Sequence, residues 1–257
     1  MSNQSGNRLV DGKVAFVTGA ANGLGHAIVS ELAAAGAVGT MFDILPRSEA
    51  GNIPKGWNYH QGTVTDENDV GAAIAGLHES HGLLDIAVAN AGVVPPWRAT
   101  RELDLDEWRR TFAVNVEGAA ITIKLAAQEM IPSGGSIIAL GSLNSWQGHP
   151  QQAAYVASKH AVLGLVRSAA LDLGQHNIRV NALGPGPIAT DALVGRVKDR
   201  HAQGGATVDE ALQAMAGATA LGRTATEADV ARACLFLASV LASGITGQLV
   251  PVDAGKM

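Results

Sequence analysis

Short apolar runs alternate with longer stretches in which apolar residues recur every three or four positions, from Lys13 to Val252. A brief run rich in Val, Ile and Phe reads as a strand, and the wider period reads as an amphipathic helix. On that basis strands are expected at 13–18, 38–43, 57–64, 84–89, 136–140, 178–182 and 249–252. Helices are expected at 27–33 (closed by Gly36), 66–79 (capped by Asp66), 106–130, 152–173 and 226–237. The run 84–89 is apolar without alternation, as expected of a strand covered on both faces. The alternation of strand and helix places the chain in the α/β class, with a doubly wound parallel sheet of about seven strands and helices on both faces.

No linker or internal repeat interrupts the series, so residues 1–257 read as one domain, with polar residues 1–8 as a disordered lead-in. The exception is 190–223, which is polar, contains glycine and is helical only at 209–216. It follows the breaker-rich Gly184-Pro185-Gly186-Pro187. An excursion beside the carboxyl ends of the strands suits a substrate lid, with surface decoration as the alternative.

Composition narrows the function. Hydrophobic residues make up 47 % and charged residues 16 %, which points to extensive burial and to subunit contacts. The net charge of −5 argues against a nucleic-acid partner. The single cysteine, Cys234, lies in the apolar run 233–237 and reads as a buried, inert thiol in a reducing, cytoplasmic setting. No apolar run approaches the roughly 18 residues of a membrane span, and the first residues lack a signal peptide's apolar core. The eight histidines show no metal spacing, so no metal is expected.

Two stretches carry candidate chemistry. Gly19-Ala20-Ala21-Asn22-Gly23-Leu24-Gly25 lies between the first strand and the first helix, where glycines let backbone N–H groups approach a phosphate. Asp43 ends the second strand, where the acid of a dinucleotide-binding unit accepts hydrogen bonds from ribose hydroxyls and repels a 2′-phosphate. Ala21 and Asn22 offer no cation, so NAD is expected over NADP, although Arg47 lies nearby. Further on, Tyr155 and Lys159 share one helix face at i, i+4. An ammonium beside a phenol favours phenolate. A strand-to-loop turn could bring the Ser142 hydroxyl to the same place. Taken alone, such a pair is usually a solvated helix face.

In order and spacing the chain resembles the short-chain dehydrogenases/reductases over 9–255. Thr18 to Gly25 is similar to that family's TGxxxGxG turn, and Asn90-Ala91-Gly92 to its NAG element. Asn115 sits in an NV-like segment, and Ser142, Tyr155 and Lys159 match the catalytic set with its YxxxK spacing. Pro185-Gly186 and Ile188-x-Thr190 resemble the segment that meets the nicotinamide. Residues 245–248 and 252–255 resemble the closing element. The chain departs from the family at Ala89, Thr63, Gly141 and Ala254, none of which removes a catalytic group.

The resemblance implies a Rossmann-like fold and reversible hydride transfer between NAD(H) and a secondary alcohol or ketone. It implies Asn115, Ser142, Tyr155 and Lys159 as catalytic residues. Cofactor contacts would come from Gly19, Asn22, Gly23, Leu24, Gly25, Asp43, Ile44, Thr63, Val64, Asn90, Ala91, Gly92, Pro185, Gly186, Ile188 and Thr190, besides Tyr155 and Lys159. Val94, Asn144, Trp146, His149, Gln152, Pro187 and Leu193, with Ser142 and Tyr155, would face a small to medium, partly apolar substrate, cyclic ones included. Lys159 is expected to lower the Tyr155 pKa and to bind the nicotinamide ribose. One alternative is a 3-oxoacyl-thioester reductase. Arg98, Arg101, Arg109 and Arg110 would be its docking patch, unless they form a solvated helix surface. Such an enzyme usually takes NADPH, which Asp43 disfavours. The other alternative is a non-catalytic nucleotide-binding subunit. A homotetramer is expected, through 106–130, 152–173 and 245–257.

Overall fold

Val14–Thr18 is buried along its whole length, which requires cover on both faces of the sheet it joins. In the computed structural model, which describes residues 8–202 and 204–256, that strand is β1. All of the expected lead-in except Arg8 lies outside the described residues, and Arg8 pairs with Asp11 at 2.9 Å. The other strands are β2 (Val38–Asp43), β3 (Trp57–Gln61), β4 (Ile86–Ala89), β5 (Gly135–Leu140), β6 (Ile178–Pro185) and β7 (Leu249–Val252). They form one parallel sheet in the order β3-β2-β1-β4-β5-β6-β7. The helices are α1 (Gly23–Ala34), α2 (Glu67–His81), α3 (Leu105–Phe112), α4 (Gly118–Met130), α5 (Ala153–Leu173), α6 (Asp191–His201), α7 (Val208–Gly217) and α8 (Glu227–Ala238).

Side-chain alternation along the strands divides the core in two. Phe16, Phe42 and Ile137 pack on one face with Leu77 of α2, Ile123 of α4 and Val166 of α5. Their neighbours Val17, Met41 and Ile138 pack on the other with Ile28 and Leu32 of α1 and Leu237 of α8. Cys234 is buried in this second core, and burial pushes its thiol up to about 12. Among the described residues, no helix is long and apolar enough to cross a membrane. The chain runs outward from β1 to β3, then returns to β4 and continues to β7. The β1–β4 junction is therefore the point where strand order reverses, and a crevice opens beyond the strand ends there.

The expected strands all form, with shifted ends. β3 stops at Gln61 rather than at Val64, because Thr63 N–H turns to the Asp69 carboxylate (2.9 Å) instead of to the sheet. β6 continues to Pro185, where β7 pairs with it. The helix expected over 106–130 is interrupted by a π-turn at Ala113–Glu117 between α3 and α4. The excursion 190–223 contains α6 as well as α7. A reciprocal cap opens α7, in which Thr207 Oγ1 accepts from Glu210 N–H and the Glu210 carboxylate accepts from Thr207. α6 buries only Leu193 and Val197 among its charged residues, so its period is faint in the sequence.

α8 packs along α1 and brings Glu227 to the edge of the crevice. Its first turn is closed by Thr226 and Asp229, each bonding the other's backbone N–H. The Thr226 N–H, and after it Arg223, hold the Asp229 carboxyl down to about 2. That contribution is complete above the ordinary carboxylate range and is lost as the pH falls toward about 2. Thr226→Ala is predicted to lower unfolding stability by about 1 kcal/mol at neutral pH, read from the urea midpoint.

Candidate active site

The site grows from the junction of β1 and β4. Thr18 Oγ1 donates to Val88 O and accepts from the N–H groups of Asn90 and Ala91, at 3.1 and 3.2 Å. The Asn90 amide donates to Thr18 O and Gly19 O, both at 2.9 Å. These contacts bring the chain segments so close that a Cβ on Gly19 would lie 2.8 Å from Ala91 Cα. One on Gly25 would lie 2.0 Å from Gly19 O. Gly19 also has φ of 64°, so glycine is required there on two counts.

Asn22 precedes α1, but its amide donates to Glu49 O and caps nothing in the helix. The first N–H groups of α1 thus lack a side-chain partner, and Asn22 to Gly25 line the crevice. Asp43 is fixed by two donors, Ala21 N–H on Oδ2 (2.9 Å) and Leu45 N–H on Oδ1 (3.0 Å), and it also lines the crevice. Arg47 does not; its guanidinium lies 6.0 Å from the centre of the Tyr59 ring. A helix amino end with no side-chain cap, glycines with no room for a Cβ and a carboxylate at the end of β2 fit the pyrophosphate and ribose of a dinucleotide.

Past β5 the chain turns sharply. Ser142 caps a 3₁₀ turn at Leu143–Ser145: its Oγ accepts from Asn144 N–H at 3.1 Å, and Ser145 Oγ accepts from Ser142 N–H at 3.1 Å. The turn faces α5, which presents Tyr155 and Lys159 one turn apart. Lys159 Nζ donates to Leu140 O at 2.6 Å and lies 5.7 Å from the centre of the Tyr155 ring. Burial lowers the Lys159 pKa to about 8. Burial also raises the Tyr155 pKa, against the pull of the Ser142 hydroxyl and then of the Arg196 cation. From the sequence, that downward pull is expected of Lys159. In the structure the lysine donates to Leu140 O with its Nζ still 5.7 Å from the ring centre, and Arg196 is a further cation that favours the phenolate.

Asn115 is buried inside the π-turn and outside the crevice lining. Its Oδ1 accepts from Val93 N–H (2.7 Å), and its Nδ2 donates to Val93 O (2.9 Å) and Ser158 Oγ (3.1 Å). It therefore ties the segment after β4 to α5, one residue before Lys159.

The crevice has a volume of about 1480 Å³, above the usual 300–1,000 Å³ of a small-ligand pocket. Every expected cofactor contact lines it, as do Val94, Ser142, Asn144, His149, Gln152, Tyr155, Pro187 and Leu193. Trp146 does not, which corrects its assignment to the substrate pocket. Its ring lies against Gly184, where a Cβ would come within 2.9 Å of it. Trp97, Arg196 and Met215 are among the lining residues that no sequence motif marks. Thr190 opening the lid was the nearest signal for Arg196. Of the four arginines considered as a docking patch, Arg98, Arg101 and Arg109 pair with Glu107, Glu102 and Asp106. Arg110 alone lines the crevice.

Known proteins are similar to this chain over nearly its whole length. A family model described as enoyl-(acyl carrier protein) reductase matches residues 19–256. Short-chain dehydrogenase reductase 4 of Arabidopsis thaliana is 38% identical across 96% of this chain and 83% of its own. The trans-4-hydroxycyclohexanecarboxylate dehydrogenase of Sinomonas cyclohexanicum is 34% identical across 95% of this chain and 92% of its own. The solved structure of carveol dehydrogenase from Mycobacterium avium in complex with NAD superposes with a TM-score of 0.88 at 30% identity, over 96% of this chain and 98% of that one. With such similarity running almost end to end, the chain belongs to the short-chain dehydrogenase/reductase family.

Proposed function

We propose that this oxidoreductase, which acts on alcohols and ketones, transfers hydride reversibly between NAD(H) and a secondary alcohol, with Tyr155 as general acid and base. The observation that carries the reading is the convergence of Ser142, Tyr155 and Lys159 on one crevice with the Gly19–Gly25 turn and Asp43. The bound cofactor would accept the hydride from the carbinol carbon. In oxidation the Tyr155 phenolate takes the hydroxyl proton as the carbon–oxygen double bond forms, and in reduction the phenol returns it. Ser142 donates to the substrate oxygen and stabilises the charge that develops on it. Lys159, held by Leu140 O, binds the nicotinamide ribose, and Asn115 positions the helix that carries both groups. The turn before α1 holds the pyrophosphate, and Asp43 accepts from the adenosine ribose.

A cyclic substrate of modest size fits the lining, where apolar Val94, Pro187, Leu193 and Met215 adjoin polar Asn144, His149 and Gln152. One relative is named for a hydroxycyclohexanecarboxylate. Acyl-carrier docking is less well supported, because three of the four candidate arginines are paired with carboxylates on the surface.

A panel of cyclic secondary alcohols with NAD, followed at the reduced-nicotinamide band, tests the activity. Tyr155→Phe is predicted to lower kcat by at least about 100-fold, the lower end of typical general acid–base contributions, while NADH titration stays within a fewfold of the unsubstituted protein. A near-normal kcat would remove Tyr155 from the mechanism. Asp43→Ala is predicted to raise KM for NAD and to bring kcat/KM for NADP closer to it. An unchanged preference would remove Asp43 as the selecting group.

A further inference from the structure

Four buried side-chain polar atoms have no hydrogen-bond partner among the described residues, and three belong to residues lining the crevice. They are Trp97 Nε1, Asn144 Oδ1 and Arg196 Nε. A buried polar group left without a partner costs about 1–3 kcal/mol, so their concentration at one crevice calls for a ligand. Two of the three are donors, on residues that line the crevice from the segment after β4 and from α6. The Trp97 indole is covered by Arg200, whose guanidinium lies 5.0 Å from the ring centre.

Arg196 is the most demanding of the three. It is half-buried and forms no ion pair among the described residues. Burial depresses its pKa, and Tyr155 is the neighbour that favours its ionised form. The carboxylates of the crevice are directed elsewhere or exposed. Asp43 accepts from two backbone N–H groups, Asp191 lies exposed in the first turn of α6, and Glu227 sits at the amino end of α8. A desolvated guanidinium of this kind is ordinarily met by an oxyanion that can take two of its N–H donors.

We propose that the substrate carries a carboxylate, received by Arg196 and the Trp97 indole N–H, while its hydroxyl or carbonyl lies at Ser142 and Tyr155. This rests on the oxidoreductase reading above and names the substrate class as cyclic hydroxy acids and their oxo acids. A single half-buried guanidinium with one neutral donor matches one negative charge. Closure of α6 over the carboxylate then covers the reacting carbon, so substrate charge and substrate enclosure depend on one side chain.

The test is calorimetric titration of the protein, with and without NADH, using cyclohexanecarboxylate and its neutral counterpart cyclohexanemethanol. The carboxylate is expected to bind about tenfold tighter or better, the range for a hydrogen bond to a charged group. Arg196→Gln should abolish the difference, Arg196→Lys should retain part of it, and Trp97→Phe should weaken carboxylate binding severalfold. NADH affinity reports that each variant is folded. Equal binding of acid and alcohol, or a preference that survives Arg196→Gln, overturns the proposal. Oxidation of neutral alcohols without a carboxylate preference defeats this proposal alone. An Arg196-dependent preference without turnover of any alcohol defeats the oxidoreductase reading and leaves the anion site standing.

Discussion

At the carboxyl ends of β1 and β4 the sheet reverses its strand order, and the Thr18 and Gly19 carbonyls are left without sheet partners. The Asn90 amide satisfies both of them, and the Thr18 hydroxyl bonds the backbone beyond β4 in return. Much else depends on this clasp. With the carbonyls tied inward, the N–H groups at the start of α1 face outward, uncapped, into the crevice. The clasp also leaves no space for a side chain on Gly19 or Gly25, so α1 starts tight against the turn. α8 lies along α1 and fixes its direction.

Across the crevice the controlling term is desolvation. It raises the phenol of Tyr155 and lowers the ammonium of Lys159 to about 8, so burial disfavours charge on both. A phenolate–ammonium pair is therefore not stabilised by proximity alone. The groups that draw the phenol down are the Ser142 hydroxyl and the Arg196 guanidinium, one from the turn after β5 and one from α6. Lys159 keeps a fixed place by donating to Leu140 O. In this arrangement α6 contributes to the electrostatics of the phenol.

The strands were legible because burial on both faces leaves uninterrupted apolar runs, as at Val14–Thr18 and Ile86–Ala89. The glycine turn, Asp43 and the Tyr155–Lys159 spacing were legible because backbone geometry and helical periodicity demand particular residues at particular intervals. Features set by one side chain's tertiary partners were not. The π-turn follows from Asn115 bonding Val93 and Ser158, which no local pattern announces. β3 ends early because Asp69, on the following helix, takes the Thr63 N–H. Trp146 lies within the catalytic stretch of sequence, yet its ring is turned onto Gly184. Arg196 and Trp97 are far apart in the chain, and only the fold places both on the lining of one crevice.

The acid–base account is tested most directly by single-turnover oxidation of a cyclic secondary alcohol by NAD, followed at the reduced-nicotinamide band across pH. Burial pushes the Tyr155 phenol up from its ordinary range, and the proposed oxidation uses the phenolate. The account predicts that the rate of hydride transfer climbs as the pH is raised above neutral, while the reverse reduction falls over the same interval. An oxidation rate indifferent to pH throughout that interval would contradict it.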